Sequence, residues 1–524
     1  MRNHRKLRGI RVFIALIFAS VFARAAGAPA DDAFSFELLQ ARALALASAP
    51  CEQSAPRVPE NLSRLTYDEY RLITFNLARA LWAREAQPFR AEFFHPGFLQ
   101  TQTARINAVE QGRARAIPFS PQLFDYHELA DSIDTSAFPA DMGFTGFRLL
   151  YPLNAKNQLD ELIAFQGASY FRALSKNARY GLSARGLAIN TAGDGGEEFP
   201  AFEEFWLEHP DQDATSMRLW ALLNGPSVTG AYQFVITPGA DTVVDVAAVI
   251  YRRAGVPDEK IKTLGIAPLT SMFWFGGNSQ GRPDDLRPAV HDSDGLAIHT
   301  GAGEWLWRPL DNPRAMQVMS FVDNRPRGFG LLQRIRDFAA YQDIEAAYHL
   351  RPSVWVEPVG DWGRGAVRLV ELPTPAETND NIVAFWSPAT LPSAGEPLRI
   401  AYRLHWFTTD APSVAAPPKG IVVETRQGRS LTNEPDLRRF WVDFGGDALA
   451  KLSDNERVEP VVSIGGGAEL AHAASVEKNP FNNTWRAAFA IKPDDSGRPV
   501  EMRCFLKNGK NEALTETWSY LWNP

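Results

Sequence analysis

Two groups of acidic residues in this sequence have the types and spacing that acid and base chemistry requires. Asp292 and Asp294 lie in a loop after Pro288, and Asp380 stands between two asparagines directly before an apolar run. Loops at strand ends commonly present reactive groups. Asp and Asn also end strands and cap turns in most proteins. The pattern alone therefore leaves a catalytic and a purely structural interpretation open.

Aromatic residues accompany these acids between positions 270 and 390. In Glu304-Trp-Leu-Trp-Arg308, a β-strand sends Glu304 and Arg308 to one face and Trp305 and Trp307 to the other. Cleavage of a glycosidic bond needs an acid at the leaving oxygen and a second carboxylate that activates water or attacks carbon. Aromatic faces that stack on sugar rings complete such a site, although rings of this size are as often part of a core. The other candidate rings are Trp274, Trp355 and Trp362.

Other common catalytic motifs are incomplete. Residues 127–131 lack the second histidine of a zinc protease, and residues 328–333 lack the third glycine of a dinucleotide site. Residues 181–185 place Arg where a nucleophile elbow needs Gly. Residues 291–295 match only the first half of a calcium loop. We therefore expect neither a metal nor a cofactor.

Charge argues against a nucleic-acid partner. The chain has 524 residues, with 54 Lys and Arg against 61 Asp and Glu. Residues 1–28 hold six of the basic residues and no acid, so the remainder carries 48 − 61 = −13. An acidic body of this kind repels phosphate backbones, so a neutral ligand is favoured.

Residues 1–28 have the pattern of an export signal peptide. A basic stretch precedes the 12-residue apolar run Val12–Ala23, and Ala26-Gly27-Ala28 is a small-residue cleavage site. The run is shorter than the ~20 residues that a membrane span needs, and no later window reaches ~18. We expect an exported protein without stable membrane insertion after cleavage. The two cysteines, Cys51 and Cys504, are far apart in sequence, so we expect no disulfide framework.

The elements that must position these residues are mainly strands. A helix is predicted over Phe36–Ala47, and Thr66-Tyr-Asp-Glu69 is a capping box that begins a second helix with Ile73, Leu77 and Leu81 on one face. From about residue 90, short β-branched and aromatic runs alternate with turn residues, which favours antiparallel sheets in a sandwich. The predicted strands in this part are Phe147–Tyr151, Met217–Leu223, Tyr232–Thr237, Thr242–Tyr251, Met316–Val322, Val354–Pro358, Val367–Leu372 and Ile382–Trp386.

A proline-rich stretch over residues 387–397 predicts a domain boundary. It separates a large β-sandwich with a few helices, residues 33–388, from a second unit, residues 398–524. About seven strand candidates in the second unit, the first of them Leu398–Trp406, fit an immunoglobulin-like sandwich.

Long segments of the sequence resemble the family of periplasmic glucan biosynthesis proteins known as OpgG and OpgD. The likeness runs from about residue 35 to Trp522. Segments that carry it include Gly167-Ala-Ser-Tyr-Phe-Arg172, His291-Asp-Ser-Asp-Gly-Leu296, Gly303-Glu-Trp-Leu-Trp-Arg-Pro309, Arg351-Pro-Ser-Val-Trp355 and Glu377-Thr-Asn-Asp-Asn-Ile-Val383.

The resemblance implies a role in making osmoregulated periplasmic glucans with a β-1,2-linked backbone, and a glucan cleft in the larger domain. Matched by motif, Asp380 is the implied general acid, Asp292 the general base acting through water, and Tyr348 a neighbour of both. The sugar-binding residues expected around them are Trp305, Trp307, Trp355, Arg308, Glu304 and Arg334.

Two functions remain open at this stage. The first is an endo-acting enzyme that hydrolyses or transfers β-1,2-glucan, and the second is a non-catalytic glucan-binding partner of a membrane glucan synthase. The sequence does not decide between G-type and D-type membership, between linear and cyclic products, or among oligomeric states.

Overall fold

The computed structural model describes residues 32–51, 58–85, 87–139, 141–409, 411–430, 434, 436–453 and 456–524. The predicted signal peptide, residues 1–28, lies outside the described residues. The described chain is mainly β, as predicted, and none of its helices is long and apolar enough to cross a membrane. Its α-helices are α1 Phe36–Ala47, α2 Glu60–Ser63, α3 Tyr67–Tyr70 and α4 Asp447–Ala450. Its 3₁₀ turns are Leu77–Arg79, Pro121–Leu123, His127–Leu129, Thr135–Ala137, Asp258–Lys260, Phe338–Ala340, Tyr348–Leu350 and Ser413–Ala415.

The first predicted helix is confirmed, and the second is much shorter than predicted. Ser35 caps α1 by accepting from the Leu38 amide at 3.3 Å. The capping box at Thr66 is also present, but α3 ends after one turn. The helical extension over Ile73, Leu77 and Leu81 is wrong, because Thr74–Phe75 forms a strand and the Phe75 ring packs between other rings. Tertiary pairing has overridden the local four-residue spacing.

The larger unit contains 26 of the strands that the structure describes. In chain order they are β1 Asp32–Ala33, β2 Thr74–Phe75, β3 Arg90–Phe94, β4 Arg105–Glu110, β5 Arg113–Ile117, β6 Phe124–Asp125, β7 Gly146–Ala155, β8 Gln158–Gln166, β9 Tyr170–Ala173, β10 Ser183–Arg185, β11 Leu187–Ile189, β12 Ala201–Glu208, β13 Met217–Asn224, β14 Val228–Thr237, β15 Asp241–Arg252, β16 Leu264–Ser271, β17 Phe273–Phe275, β18 Val290–His291, β19 Gly295–His299, β20 Trp305–Pro309, β21 Gln317–Asn324, β22 Gly328–Leu332, β23 Ser353–Val359, β24 Arg364–Glu371, β25 Ile382–Pro388 and β26 Leu398–Phe407. All eight strands that the sequence predicted before residue 390 are among them.

Two large sheets face each other in this unit. One runs β21-β24-β25-β16-β10-β9-β8-β7-β3, and the other contains β4, β12 to β15, β26, β23, β22, β19 and β20. Phenylalanine rings join them: Phe165 lies 5.3 Å and Phe171 5.5 Å from Phe234, and Phe147 lies 5.0 Å from Phe205. The prediction of a mainly β protein is therefore confirmed, and buried apolar side chains fill the space between these two sheets.

The second unit is smaller and shares a sheet with the first. Its strands are β27 Ile421–Arg429, β28 Arg438–Gly445, β29 Val458–Ile464, β30 Ala468–Leu470, β31 Ser475–Lys478, β32 Trp485–Pro493, β33 Val500–Asn508 and β34 Thr517–Trp522. Strands β27, β28, β30, β31 and β32 form one layer, and β29, β33 and β34 form the other. Strand β34 pairs in parallel with β20, so the second layer extends the larger sheet of the first unit.

The predicted domain boundary, residues 387–397, lies at the connection between β25 and β26. Strand β26 was assigned by the sequence to the second unit, but it pairs with β15 and β23 inside the larger unit. The prolines before it mark a crossing between the two sheets of the sandwich and not a break between domains. Cys51 and Cys504 are both free in this structure.

Candidate active site

Asp292 and Asp380 approach one stretch of chain from its two sides. At the end of β16, the backbone amide of Asn381 donates to the carbonyl of Ser271 at 3.1 Å. The amide of Asp292 donates to the carbonyl of the next residue, Met272, at 2.8 Å. Consecutive carbonyls of an extended chain point in opposite directions. The two acids named by the sequence are therefore brought together, with a single strand between their backbones.

Asn381 fixes the loop that carries Asp380. Its buried side chain accepts from the Phe273 amide at 2.8 Å and donates to the Phe273 carbonyl at 3.0 Å. It also donates to the Leu372 carbonyl at 2.9 Å. Asp380 itself stays at the surface, with its side chain 37% exposed and Oδ2 3.9 Å from a guanidinium nitrogen of Arg172.

Asp292 has the opposite setting. Its side chain is only 7% exposed and accepts a hydrogen bond from Arg351. Burial raises the pKa of Asp292 to about 6, while the charge of Arg351 lowers it and the charge of Asp380 raises it. Because each charge acts on the same carboxyl, the two acids and the arginine form one electrostatic unit.

Tyr348 links this unit to the loop before Asp380. Its hydroxyl donates to Glu377, and burial raises the pKa of Tyr348 well above its usual value. The Arg351 guanidinium lies 4.2 Å from the centre of its ring. Glu377 also accepts from Arg287 at 2.7 Å. Tyr348 thus lies near Asp292 and, through Glu377, contacts the loop that presents Asp380.

Three residues of this cluster were not singled out from the sequence. Glu377 and Arg351 begin segments that carry the family resemblance, but nothing in those segments shows that their side chains meet at Tyr348. Arg287 is isolated in sequence and donates to Asp343 at 3.0 Å as well as to Glu377. Only the folded chain brings these loops together.

A row of side chains crosses the outer face of the nearby sheet. Glu92, Arg148, Ala164 and Arg172 are consecutive cross-strand neighbours on β3, β7, β8 and β9. Arg148 donates to Glu92 at 2.7 Å and to Glu161 at 2.9 Å. Since Arg172 at the end of this row faces Asp380, the row forms a polar floor that leads away from the acids.

The predicted tryptophans lie elsewhere. Trp355 is fully buried, Trp307 is nearly so, and both belong to the core that joins the two units. Trp305 is half-buried and stacks on Trp355 with ring centres 5.5 Å apart. These rings fill a core instead of lining a cleft, so the expected sugar stacking has no open ring face at Trp355 or Trp307. The cause is the other layer of the second unit, because side chains of β28 and β32 belong to the same core as these rings.

The polar residues predicted together with these tryptophans lie at the same interface between the two units. Arg334 donates to the buried Glu516 at 2.5 Å and lies 3.6 Å above the Trp307 ring. Arg308 donates to Glu501 at 2.9 Å. Glu304 accepts from Arg503 and, at 2.9 Å, from the hydroxyl of Thr517. These partners lie in the second unit, whose position beside β20 could not be predicted from the sequence.

The two remaining tryptophans differ in position. Trp274 is half-buried on β17, and Arg287 lies 6.0 Å from its ring centre, so this ring is close to the acid cluster. Trp362 packs against Trp386 and donates to the Ala401 carbonyl at 3.1 Å, inside the larger unit.

Comparison with known proteins gives a consistent family. The family described as "Periplasmic glucan biosynthesis protein, MdoG" matches residues 34–522. "Glucans biosynthesis protein G" of Ralstonia nicotianae is 46% identical over 506 residues, covering 95% of this chain and 98% of that protein. The protein of the same name from Sodalis glossinidius is 46% identical over 496 residues, covering 93% of both chains.

Proposed function

This chain belongs to the MdoG family of periplasmic glucan biosynthesis proteins, and we propose that it acts on β-1,2-linked glucan by acid and base catalysis. Its role lies in the biosynthesis of periplasmic glucan, and its location is the periplasm. The proposal adds the reaction: cleavage or transfer within the glucan chain, with Asp380 as general acid and Asp292 as general base. The observation that supports it is the placement of these two acids on either side of one strand, in one electrostatic unit.

The environment of Asp292 suits a base. A carboxyl whose pKa is about 6 is mostly ionised at neutral pH, yet it binds a proton more readily than an ordinary aspartate. Arg351 keeps it ionised and orients it. Tyr348 packs under the same guanidinium, so the side chain of Arg351 is held in one position.

The environment of Asp380 suits an acid only when glucan is bound. In the free protein this carboxyl is partly exposed beside Arg172. A sugar chain lying over Asp380 takes the carboxyl out of water and places the glycosidic oxygen next to it. The substrate itself therefore completes the setting in which Asp380 holds a proton.

The spacing of the backbone segments that carry the two acids is compatible with inversion at the anomeric carbon. Chain segments on either side of one strand lie about 9–10 Å apart. Inverting enzymes hold their carboxyls about 6.5–9.5 Å apart, which leaves room for water, whereas retaining enzymes hold them at about 5 Å. Hydrolysis through a water activated by Asp292 follows more directly from this arrangement than a covalent intermediate on either acid.

A second function has one observation in its favour. Because Asp380 is exposed and close to a cation, both acids also suit a binding role, in which they accept hydrogen bonds from glucan hydroxyls. The protein then guides the nascent chain as a non-catalytic partner of a membrane glucan synthase. The two functions differ in what happens to the polymer.

The experiment incubates the purified protein with linear β-1,2-glucan and measures new chain ends and product length. We expect shortened or rearranged chains, and a loss of about 10²- to 10⁴-fold in Asp380→Asn with glucan binding kept. Asp361→Asn, a change at an exposed aspartate paired with Arg325, is the matched control and keeps full activity. If wild type and Asp380→Asn both leave the polymer unchanged while binding it, the binding function replaces the enzymatic one.

A further inference from the structure

Two adjoining pockets lie beyond the acid cluster, at the other end of the polar row. One has a volume of about 440 Å³ and the other about 510 Å³, and Leu77 and Arg148 line both. Volumes in this range are typical of sites for small organic groups. Neither pocket contains Asp292, Asp380 or any side chain that contacts them.

The smaller pocket contains a buried carboxylate oxygen that lacks a donor. Glu92 is 1% exposed, and its Oε2 accepts from Arg148 at 2.7 Å. No donor among the described residues reaches its other oxygen, Oε1, and the same is true of an acceptor for Arg90 Nε. A buried polar atom without a partner costs about 1–3 kcal/mol. A ligand that offers hydroxyl groups can donate to Glu92 and accept from Arg90.

The larger pocket has both aromatic and polar walls. Phe75, Phe93, Phe94 and Phe124 line it together with Tyr70. A sugar ring has an apolar C–H face and polar edges, so aromatic walls beside a polar pocket match its two kinds of surface.

The charges of the smaller pocket favour a neutral ligand. Arg90 and Arg148 are balanced by Glu92, Glu161 and Asp160, so the lining has both donors and acceptors and a slight excess of negative charge. A phosphate or carboxylate group meets repulsion from these acids. A polyhydroxylated, uncharged group meets hydrogen-bonding partners of both kinds.

The register of the sheet connects this pocket to the acids. Arg148 and Arg172 are cross-strand neighbours of the same residue, Ala164, so they lie two strand spacings, about 10 Å, apart on one face. The small side chain of Ala164 between them leaves space above this face of the sheet. A chain of sugars that passes Asp380 can continue along this face.

We propose that Arg148, Glu92 and Glu161 form a distal subsite that binds a neutral glucose unit of the glucan, several units away from the bond that reacts. This inference rests on the proposed function, since it names the residues that bind the far end of the same glucan chain. The subsite makes the protein prefer long chains, because short oligosaccharides that cover the acids do not reach Arg148.

The test measures dissociation constants of long and short linear β-1,2-glucans in an Asp380→Asn background, so that turnover is absent. Leu77→Trp fills the shared opening of both pockets from a position that is 63% exposed, so folding is preserved. Glu92→Gln removes the charge and keeps the shape. We expect each change to weaken binding of long chains at least tenfold and to leave short chains unaffected. Leu99→Trp, at a leucine that is 77% exposed and outside both pockets, is the control.

Two results overturn the inference. If Leu77→Trp and Glu92→Gln bind long chains as the parent does, the distal subsite is wrong, while the proposed function stands. If the parent protein binds no β-1,2-glucan of any length, the proposed function fails and the subsite fails with it.

Discussion

The side chain of Asn381 forms hydrogen bonds with both backbone polar groups of Phe273. It accepts from the amide at 2.8 Å and donates to the carbonyl at 3.0 Å. The Asn381 side chain therefore makes the two hydrogen bonds that the backbone of a neighbouring strand would make with Phe273. Asp380 is the preceding residue in the chain, so the position of its carboxyl depends on this pair.

Replacing Asn381 with alanine tests that dependence. The change leaves the Phe273 and Leu372 groups without a partner in the interior, and we expect the free energy of unfolding to fall by about 2–4 kcal/mol. We also expect kcat to fall about 10- to 100-fold through misplacement of Asp380. Urea unfolding and initial rates on linear glucan measure both quantities. Asn324→Ala, at an exposed position, changes stability by less than about 0.5 kcal/mol.

The acid limb of the pH profile should report Asp292. A general base works only when ionised, so kcat/KM falls as the pH drops below about 6. Arg351 lowers the pKa of Asp292, so Arg351→Met raises that pKa and moves the limb to higher pH by about 1 unit or more. Arg351→Lys keeps the positive charge and moves the limb less. An unchanged limb in Arg351→Met excludes Asp292 as the titrating base.

Much of the architecture followed from local patterns. Runs rich in β-branched and aromatic residues over Ile382–Trp386 and Val367–Leu372 predicted β25 and β24, and both strands are buried at most of their positions. The sequence could not show that Leu398–Phe407 pairs with Asp241–Arg252, since pairing depends on distant residues. The same limit explains the helix predicted through Leu81, where a distant strand decides the conformation.

Only some of the site residues were predicted, because contacts between side chains also depend on residues that are distant in sequence. Asp292, Asp380 and Tyr348 came from motifs, and the folded chain brings them together. Trp307 and Trp355 have the residue type expected of a sugar platform, but type does not show which face another strand covers. Arg148 and Arg172 gave no signal, because their alignment exists only in the register of three strands.

A buried acid near the joint of the two units should make stability depend on pH. Burial and the neighbouring Asp311 raise the pKa of Glu371 to about 8, so the folded protein keeps a proton that the unfolded chain loses above about 4.5. Stability from this group is fully present below pH 4.5 and is lost as the pH rises through 8. Glu371→Gln keeps an acceptor for the Asp311 amide, now 2.9 Å away, without the charge.

We therefore expect Glu371→Gln to melt roughly 2–4 °C above wild type at pH 8–9 and at the same temperature near pH 4.5. Thermal unfolding across this pH range measures the difference. Glu110→Gln, at an exposed glutamate, should follow wild type throughout. A variant that is less stable than wild type at high pH would show that Glu371 is charged in the folded protein.

The joint between the units gives a further prediction. Arg334→Met leaves Glu516, whose side chain is 0% exposed, without its cation, and we expect a loss of about 3–5 kcal/mol in the free energy of unfolding. Arg426→Met removes an exposed pair with Glu424 and costs less than about 1 kcal/mol. Glucan affinity at low temperature stays the same in both variants. Weaker glucan binding with unchanged stability would instead support the sugar-binding role of Arg334 that was predicted from the sequence.

The anomeric configuration of the first product tests the central claim most directly. If Asp380 and Asp292 act across one strand with water between them, early proton NMR spectra of linear β-1,2-glucan with the wild-type protein show new α-anomeric ends. These ends then equilibrate with the β-anomer in solution. A first product with the β configuration, or intact polymer after prolonged incubation, contradicts the account.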